Sequence, residues 1–300
     1  MMKARALWQI SVTTFLDGEG AVVALLKTLF GQTPSVYTAE DSRQPIVTVF
    51  ASRLPGNAVF VRGALAKALK QLVACGLEVH ATSIVVRKVS RGAWADSWKK
   101  HFKLIELGHA LLIKPSWSKR RPRKGQAVVV LDPGLSFGTG QHPTTAFCLG
   151  QLLACRSTDQ PRSFLDVGTG SGILAISAAK LQYRPVRAFD NDPMAVRVAT
   201  ANAKRNRVAD RVSITRRDLG RLALRPSNRY DLICANLISN VLIRESTRII
   251  NRVRPGGKLV LAGIQACEFS RVQRAFEAKG LKFLESQTDG GWQSGVFAKA

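Results

Sequence analysis

Beyond residue 160 the chain alternates short, predominantly apolar runs with segments whose apolar residues recur at helical spacing. The apolar runs cover residues 164–167, 186–190, 212–215, 230–236 and 258–262. Strands that alternate with helical segments in this way read as successive βα units, so the alternation predicts a doubly wound parallel sheet. A further helix is expected over about 267–279. Residues 282–288 and 295–299 flank Asp289-Gly290-Gly291 and read as a closing hairpin.

The first ninety residues follow another rhythm. Residues 7–12 alternate like a strand, 19–30 carry a helical stripe ending at Gly31, and 35–38 and 46–50 are two strands joined by a polar turn. Residues 61–75 form an amphipathic helix closed by Gly76, and 79–89 a last strand. The order βαββαβ is that of a ferredoxin-like α+β domain. RNA-recognition modules share it and stack bases on exposed aromatics. Here only Trp8, Tyr37 and Phe50 could do so, and packing accounts for them better. Trp94, Trp98 and Phe102 then recur at i, i+4 and i+8, one face of a docking helix. The chain therefore divides into a domain over 1–90, a basic linker over 91–130 and an α/β domain over 131–300.

Charge adds a partner class. The net charge is +25 over 300 residues. Such a balance attracts acidic partners, above all RNA or RNA-containing particles. Residues 91–130 hold ten Lys/Arg against two acids, with a knot at 119–124. The alternative reading of that knot is a solvated linker. No apolar run is long enough for a membrane span, and the N-terminus has no signal-peptide core. The five cysteines and four histidines show no metal spacing. Buried free thiols in a reducing cytoplasm are expected.

The candidate chemistry starts where the first strand of the α/β half ends. Asp166-Val167-Gly168-Thr169-Gly170-Ser171-Gly172 leads straight into an apolar helix. Alternate glycines let the backbone turn sharply and approach a ligand with no Cβ in the way. In open α/β sheets ligands bind at such strand-to-helix turns. Asp190 ends the next strand, 22 positions after Gly168, where a carboxylate can accept ribose hydroxyls. Asp192 and Pro193 suit an N-cap and a first helical position. A dinucleotide fingerprint would place its third glycine one residue later. The form Asp-x-Gly-x-Gly-x-Gly resembles motif I of class I S-adenosylmethionine-dependent methyltransferases instead. That resemblance implies a loop wrapping the methionine portion through Gly168, Gly170 and Gly172. It places Asp166 near the α-ammonium, Asp190 on the ribose and Asp218 in the adenine region.

Upstream lies Phe137-Gly138-Thr139-Gly140-Gln141-His142-Pro143-Thr144-Thr145, a glycine-bracketed turn whose Pro143 is placed to begin a helix. Together with Trp-x-x-x-Trp-Lys-Lys-His-Phe, Pro115-Ser116-Trp117, the glycine loop, Asp190-Asn191-Asp192-Pro193 and Ala235-Asn236-Leu237-Ile238, it resembles the methyltransferases of ribosomal protein L-eleven, the PrmA family. The resemblance covers nearly the whole chain. It implies a Rossmann-like seven-stranded methyltransferase domain behind the ferredoxin-like one. S-adenosyl-L-methionine would be the cofactor, a large-subunit ribosomal protein the substrate, and no metal would be used. Thr145 and Gly168 would contact the cofactor, and Asn236 would face the transferring methyl and the incoming amine. The first domain would recognise the substrate, in a cytoplasmic and monomeric enzyme. The chain has Asn236-Leu237-Ile238-Ser239 where the family has Asn-Ile-Leu-Ala, and it lacks the usual serine before Gly263.

Lysine sets the chemical difficulty, because its reference pKa of about 10.4 delivers it protonated. Asn236 has none of the Pro-Pro-aromatic neighbours found where planar amines are methylated, which favours an aliphatic amine. RNA methylation, and a non-catalytic ribosome-associated protein keeping this fold, stand as the competing functions.

Overall fold

The computed structural model describes residues 7–15, 18–32, 34–37, 44–74, 83–89, 104–132, 142–157 and 159–300. The chain forms two compact units, Met1–Phe102 and Lys103–Ala300.

The first unit contains β1 (Leu7–Thr13), α1 (Glu19–Phe30), β2 (Ser35–Tyr37), β3 (Ile46–Ala51), α2 (Ala58–Ala74) and β4 (Ile84–Val89). Its antiparallel sheet has the order β2-β3-β1-β4. Alternation turns Ile10 and Val12 of β1 inward. They meet Val22 and Leu26 of α1 and Val61, Leu65 and Leu69 of α2, each set spaced to fall on one helix face. This is the expected ferredoxin-like arrangement.

The second unit opens with three strands, β5 (Ile105–Leu107), β6 (Leu111–Lys114) and β7 (Ala127–Val130). They form a small sheet inside the stretch expected to be linker. Leu111, Ile113 and Val129 are wholly buried and join the core beneath the large sheet. Asn206 fastens β7 by accepting from Val130 N at 2.7 Å and donating to Val130 O at 2.8 Å. The basic knot is the connection between β6 and β7. Lys114 Nζ donates to Ser118 O and Arg120 O, and Arg120 and Arg123 pair with Glu106 at 3.1 and 3.2 Å.

The large sheet then follows. Its elements are α3 (Pro143–Ala154), β8 (Phe164–Val167), α4 (Ile173–Lys180), β9 (Val186–Asp190), α5 (Pro193–Arg205), β10 (Val212–Arg216), β11 (Tyr230–Asn236), α6 (Ser239–Arg244), α7 (Ser246–Ile250), β12 (Val253–Gln265), α8 (Ala266–Glu277), β13 (Leu281–Asp289) and β14 (Trp292–Lys299). The order is β10-β9-β8-β11-β12-β14-β13. All neighbours are parallel except β14, which runs against β12 and β13. Each central strand feeds two cores. Phe164, Leu232, Cys234, Val260 and Ala262 face one, and Leu165, Val167, Ile233, Ala235, Leu259 and Leu261 face the other. Burial on both sides explains why these strands are predominantly apolar. From β8 the chain steps to β9 on one side, while β11 lies on the other. The ends of β8 and β11 therefore flank the point where the strand order reverses, the place where open α/β sheets hold ligands.

Cys148, Cys155 and Cys234 are buried thiols, Cys267 is exposed, and Cys75 lies outside the described residues. No helix among the described residues is long and apolar enough to cross a membrane. The helix expected around Trp94, Trp98 and Phe102 also lies outside the described residues, as does the turn over 137–141.

Candidate functional site

The glycine loop after β8 takes the shape its sequence demands. Gly168, Gly170 and Gly172 have φ of 74°, 54° and 83°, the left-handed region that side chains disfavour. Two of them also make close approaches. A Cβ on Gly168 would stand 2.5 Å from Leu237 Cδ2, and one on Gly172 would stand 3.0 Å from Ala199 Cβ. The first contact brings the loop against the segment after β11. The second lets α4 and α5 pack closely.

Two acids hold this loop. Asp166 is 1% exposed. Its Oδ2 accepts from Thr169 Oγ1 at 2.7 Å and from Ala175 N at 3.3 Å. Burial pushes its carboxyl up to about 7, against those two hydrogen bonds. The expected neighbour of an α-ammonium is thus a brace beneath the loop, spent on the loop's own hydroxyl and on the first turn of α4. Asp190 sits at the tip of β9, half-buried. Its Oδ2 accepts from Gly170 N at 2.9 Å and its Oδ1 from Asp192 N at 3.0 Å. Each oxygen keeps a lone pair for a further donor. Asp192 caps α5 through Met194 N at 2.8 Å, with Pro193 in the first turn as expected.

Asp218 follows β10, and its preceding residue donates to Asp190 O at 2.9 Å. Its side chain caps the 3-10 turn Leu219–Arg221 through Gly220 N at 2.9 Å and lies 3.6 Å from Arg221. It stands beside the site with its carboxylate already engaged.

Asn236 ends β11, half-buried, and its Nδ2 donates to Thr144 Oγ1 at 3.3 Å. Gly263 makes room for it. At φ 79° a Cβ there would stand 2.7 Å from Asn236 Oδ1 and 2.9 Å from Leu237 O. On the facing side His142 is the N-cap of α3 and Pro143 its first residue. Thr144 and Thr145 are each 1% exposed in its first turn. Thr145 Oγ1 is buried with no hydrogen-bond partner among the described residues. A buried hydroxyl left unpaired costs stability, so Thr145 Oγ1 is a polar atom open to a ligand's donor or acceptor.

The His142 ring meets Trp292 edge-on, 4.8 Å between centroids. Burial holds its imidazole down at about 4, Asp289 opposing. Trp292 is a neighbour of the site that the sequence did not point to, and the sequence named Gly263 without linking it to Asn236. Trp292 sits in the closing hairpin, about 150 residues from His142, and no local pattern links the two. Among the expected residues, Thr145, the three loop glycines, Asp190 and Asn236 gather around the ends of β8, β9 and β11.

An acidic strand tip beside backbone with no Cβ, an unpaired buried hydroxyl and a neutral carboxamide suit a nucleoside-bearing amino acid donor. The donor set fits S-adenosylmethionine: Asp190 for ribose hydroxyls, the loop backbone for the methionine portion, and Thr145 Oγ1 for one polar atom. Among the described residues no His/Cys/Asp/Glu group could hold a metal.

Comparison with known proteins bears on the family and the fold. The family model described as Ribosomal protein L11 methyltransferase (PrmA) matches residues 8–300. A ribosomal protein L11 methyltransferase from Trichlorobacter lovleyi is 44% identical over 204 residues, covering 67% of this chain and 66% of its own length. That from Chloroflexus aurantiacus is 38% identical over 230 residues, 70% of each chain. The first of these alignments thus spans slightly less than two thirds of the relative. The crystal structure of a ribosomal protein L11 methylase from Lactobacillus delbrueckii superposes with a TM-score of 0.59 at 27% identity, covering 66% of this chain and all of that one.

Proposed function

Because the chain belongs to the ribosomal protein L11 methyltransferase (PrmA) family, we propose that it transfers methyl groups from S-adenosylmethionine to amino groups of a large-subunit ribosomal protein, at lysine side chains or the α-amine. The observation that carries this reading is the family match along residues 8–300, which takes in both units of the chain. We assign recognition of the ribosomal protein to the first unit, and place the reaction in the cytoplasm, where such a substrate is made.

S-adenosylmethionine held by these residues would supply a methyl group already activated by its sulfonium. The protein then has to align, dehydrate and discriminate. The loop over 168–172 would bring backbone close to the donor, Asp190 would accept from its ribose, and Thr145 Oγ1 would gain a partner. Asn236 presents a neutral carboxamide to the amine. A carboxylate there would hold the amine as ammonium, which has no lone pair to attack with. A neutral acceptor in a half-buried setting favours the unprotonated amine. The proton that the amine gives up goes to water before the amine enters, so no general base is needed at the site.

The experiment is label transfer from methyl-labelled S-adenosylmethionine to large ribosomal subunits and to the isolated ribosomal protein, followed by nuclease or protease. Label that survives nuclease and is lost to protease supports the reading. Label removed by nuclease transfers the activity to RNA, and no label on either overturns it. Calorimetry on Asp190→Ala should show cofactor binding weaker by about 1–3 kcal/mol, the cost of lost charged hydrogen bonds. Unchanged affinity removes Asp190 from the site.

A further inference from the structure

The functional reading gives Asn236 a task but not the means of keeping its carboxamide the right way round. An asparagine side chain turned over by half a turn offers N–H where an acceptor is needed. A chain of three hydrogen bonds fixes the orientation, and its polarity can be read from one end.

That end is a backbone group. Thr144 N–H can only donate, and it donates to His142 Nδ1 at 3.4 Å as the N-cap bond of α3. Taken as the acceptor of that bond, Nδ1 carries no proton, and a neutral ring holds its proton on Nε2. Thr144 Oγ1 lies 2.7 Å from the same Nδ1. With no proton on the nitrogen, the hydroxyl must supply it. Its only proton spent, Oγ1 can then only accept, and it does so from Asn236 Nδ2 at 3.3 Å. The amide nitrogen faces Thr144, so Asn236 Oδ1 lies on the opposite branch, over Gly263, where a Cβ would stand 2.7 Å from it.

We propose that His142 and Thr144 are positioning residues for methyl transfer. They relay the polarity of a helix N-terminus to Asn236, so that its carboxamide oxygen is held as the acceptor for the incoming amine, in the space Gly263 leaves open. This rests on the methyltransferase reading above. Packing of the imidazole against Trp292 keeps the ring oriented. Its burial keeps it neutral well below physiological pH, so the relay does not reverse in the working range.

The test uses the full chain with three readouts. Nitrogen-15 spectra of the His142 ring report the polarity directly and need neither cofactor nor turnover. The neutral tautomer protonated at Nε2 is expected near pH 7, and a ring protonated at Nδ1 overturns the proposal. Calorimetry gives cofactor affinity, and steady-state kinetics on the ribosomal protein give kcat and KM. Thr144→Val keeps the branched shape and the backbone cap bond but removes the hydroxyl. Its kcat is expected to fall about tenfold to hundredfold, the size of a small misplacement at a reacting centre. KM and cofactor affinity should stay close to the parent's, and Tm should fall modestly for the lost buried hydrogen bonds while the variant stays folded. Thr144→Ser restores the hydroxyl and most of kcat. An unchanged kcat in Thr144→Val overturns the proposal, and so does a Thr144→Ser variant as slow as the valine one. A parent protein that binds no cofactor or transfers no methyl defeats the functional reading instead, while the spectra still decide the polarity.

Discussion

Asp166 and His142 both lose water on folding, and burial moves them in opposite directions. The Asp166 carboxyl is raised to about 7 from its ordinary 3.8, and the His142 imidazole is lowered to about 4 from 6.5. The stability that Asp166 contributes is thus fully present below about pH 4 and is lost as pH rises through about 7. That of His142 is present above about pH 6.5 and is lost as pH falls through about 4. Between those limits the two oppose one another, so the parent protein conceals both. Asp166→Asn separates them, because an amide keeps an acceptor for Thr169 and Ala175 and cannot ionise. Its unfolding free energy relative to the parent should grow with pH from about 4 to about 7, by up to about 4 kcal/mol. Denaturant unfolding of both proteins across that range measures the difference. A difference that stays constant with pH would mean that Asp166 is not a buried acid with a raised pKa.

Several elements follow from neighbours within one or two turns. Helix α8 buries Phe269, Val272 and Phe276, a stripe visible in its spacing. The N-caps Asp192 and His142 are each followed by Pro in the first turn, and both helices begin where those pairs predict. Strand β7 is different. Its residues Ala127-Val128-Val129-Val130 are wholly apolar, yet the basic knot before them reads as a linker. The knot is instead a connection pinned to Glu106 and to its own carbonyls, and its charge hides the strand behind it. The glycine loop belongs to this scale as well. Gly172 begins α4 in the left-handed region, with Ala199 of α5 close above it. Gly172→Ala adds both backbone strain and a clash, and should cost about 1–3 kcal/mol. For a unit of this size that lowers Tm by several degrees, at roughly 2–4 °C per kcal/mol, in a thermal scan. An unchanged Tm would show that α4 and α5 do not approach so closely.

The whole molecule consists of two units, each with its own buried core. All the residues proposed to hold the cofactor lie in the second. A chain restricted to residues 103–300 should therefore fold, bind S-adenosylmethionine with nearly the full chain's affinity, and fail to methylate the ribosomal protein. Calorimetry and label transfer on the truncated chain check both halves of that expectation. Transfer equal to the full chain's would remove the recognition role assigned to the first unit.

The sequence by itself determined what short-range interactions decide. These are the alternation of buried strands and amphipathic helices, the caps, the acid that closes β9, and the glycines that must turn where no Cβ is tolerated. Backbone propensity and burial act within a few residues, so such features leave a local period or a local residue choice. Tertiary structure alone decided which distant groups meet. It set Trp292 against His142, Gly263 beside the Asn236 carboxamide, Asn206 on both polar groups of Val130, and the Asp166 carboxylate beneath the loop rather than in the open cleft. Those contacts join positions that share no repeat along the chain. Those at His142, Asn236 and Asp166 exist because the sheet brings the ends of β8, β11, β12 and the final hairpin to one edge.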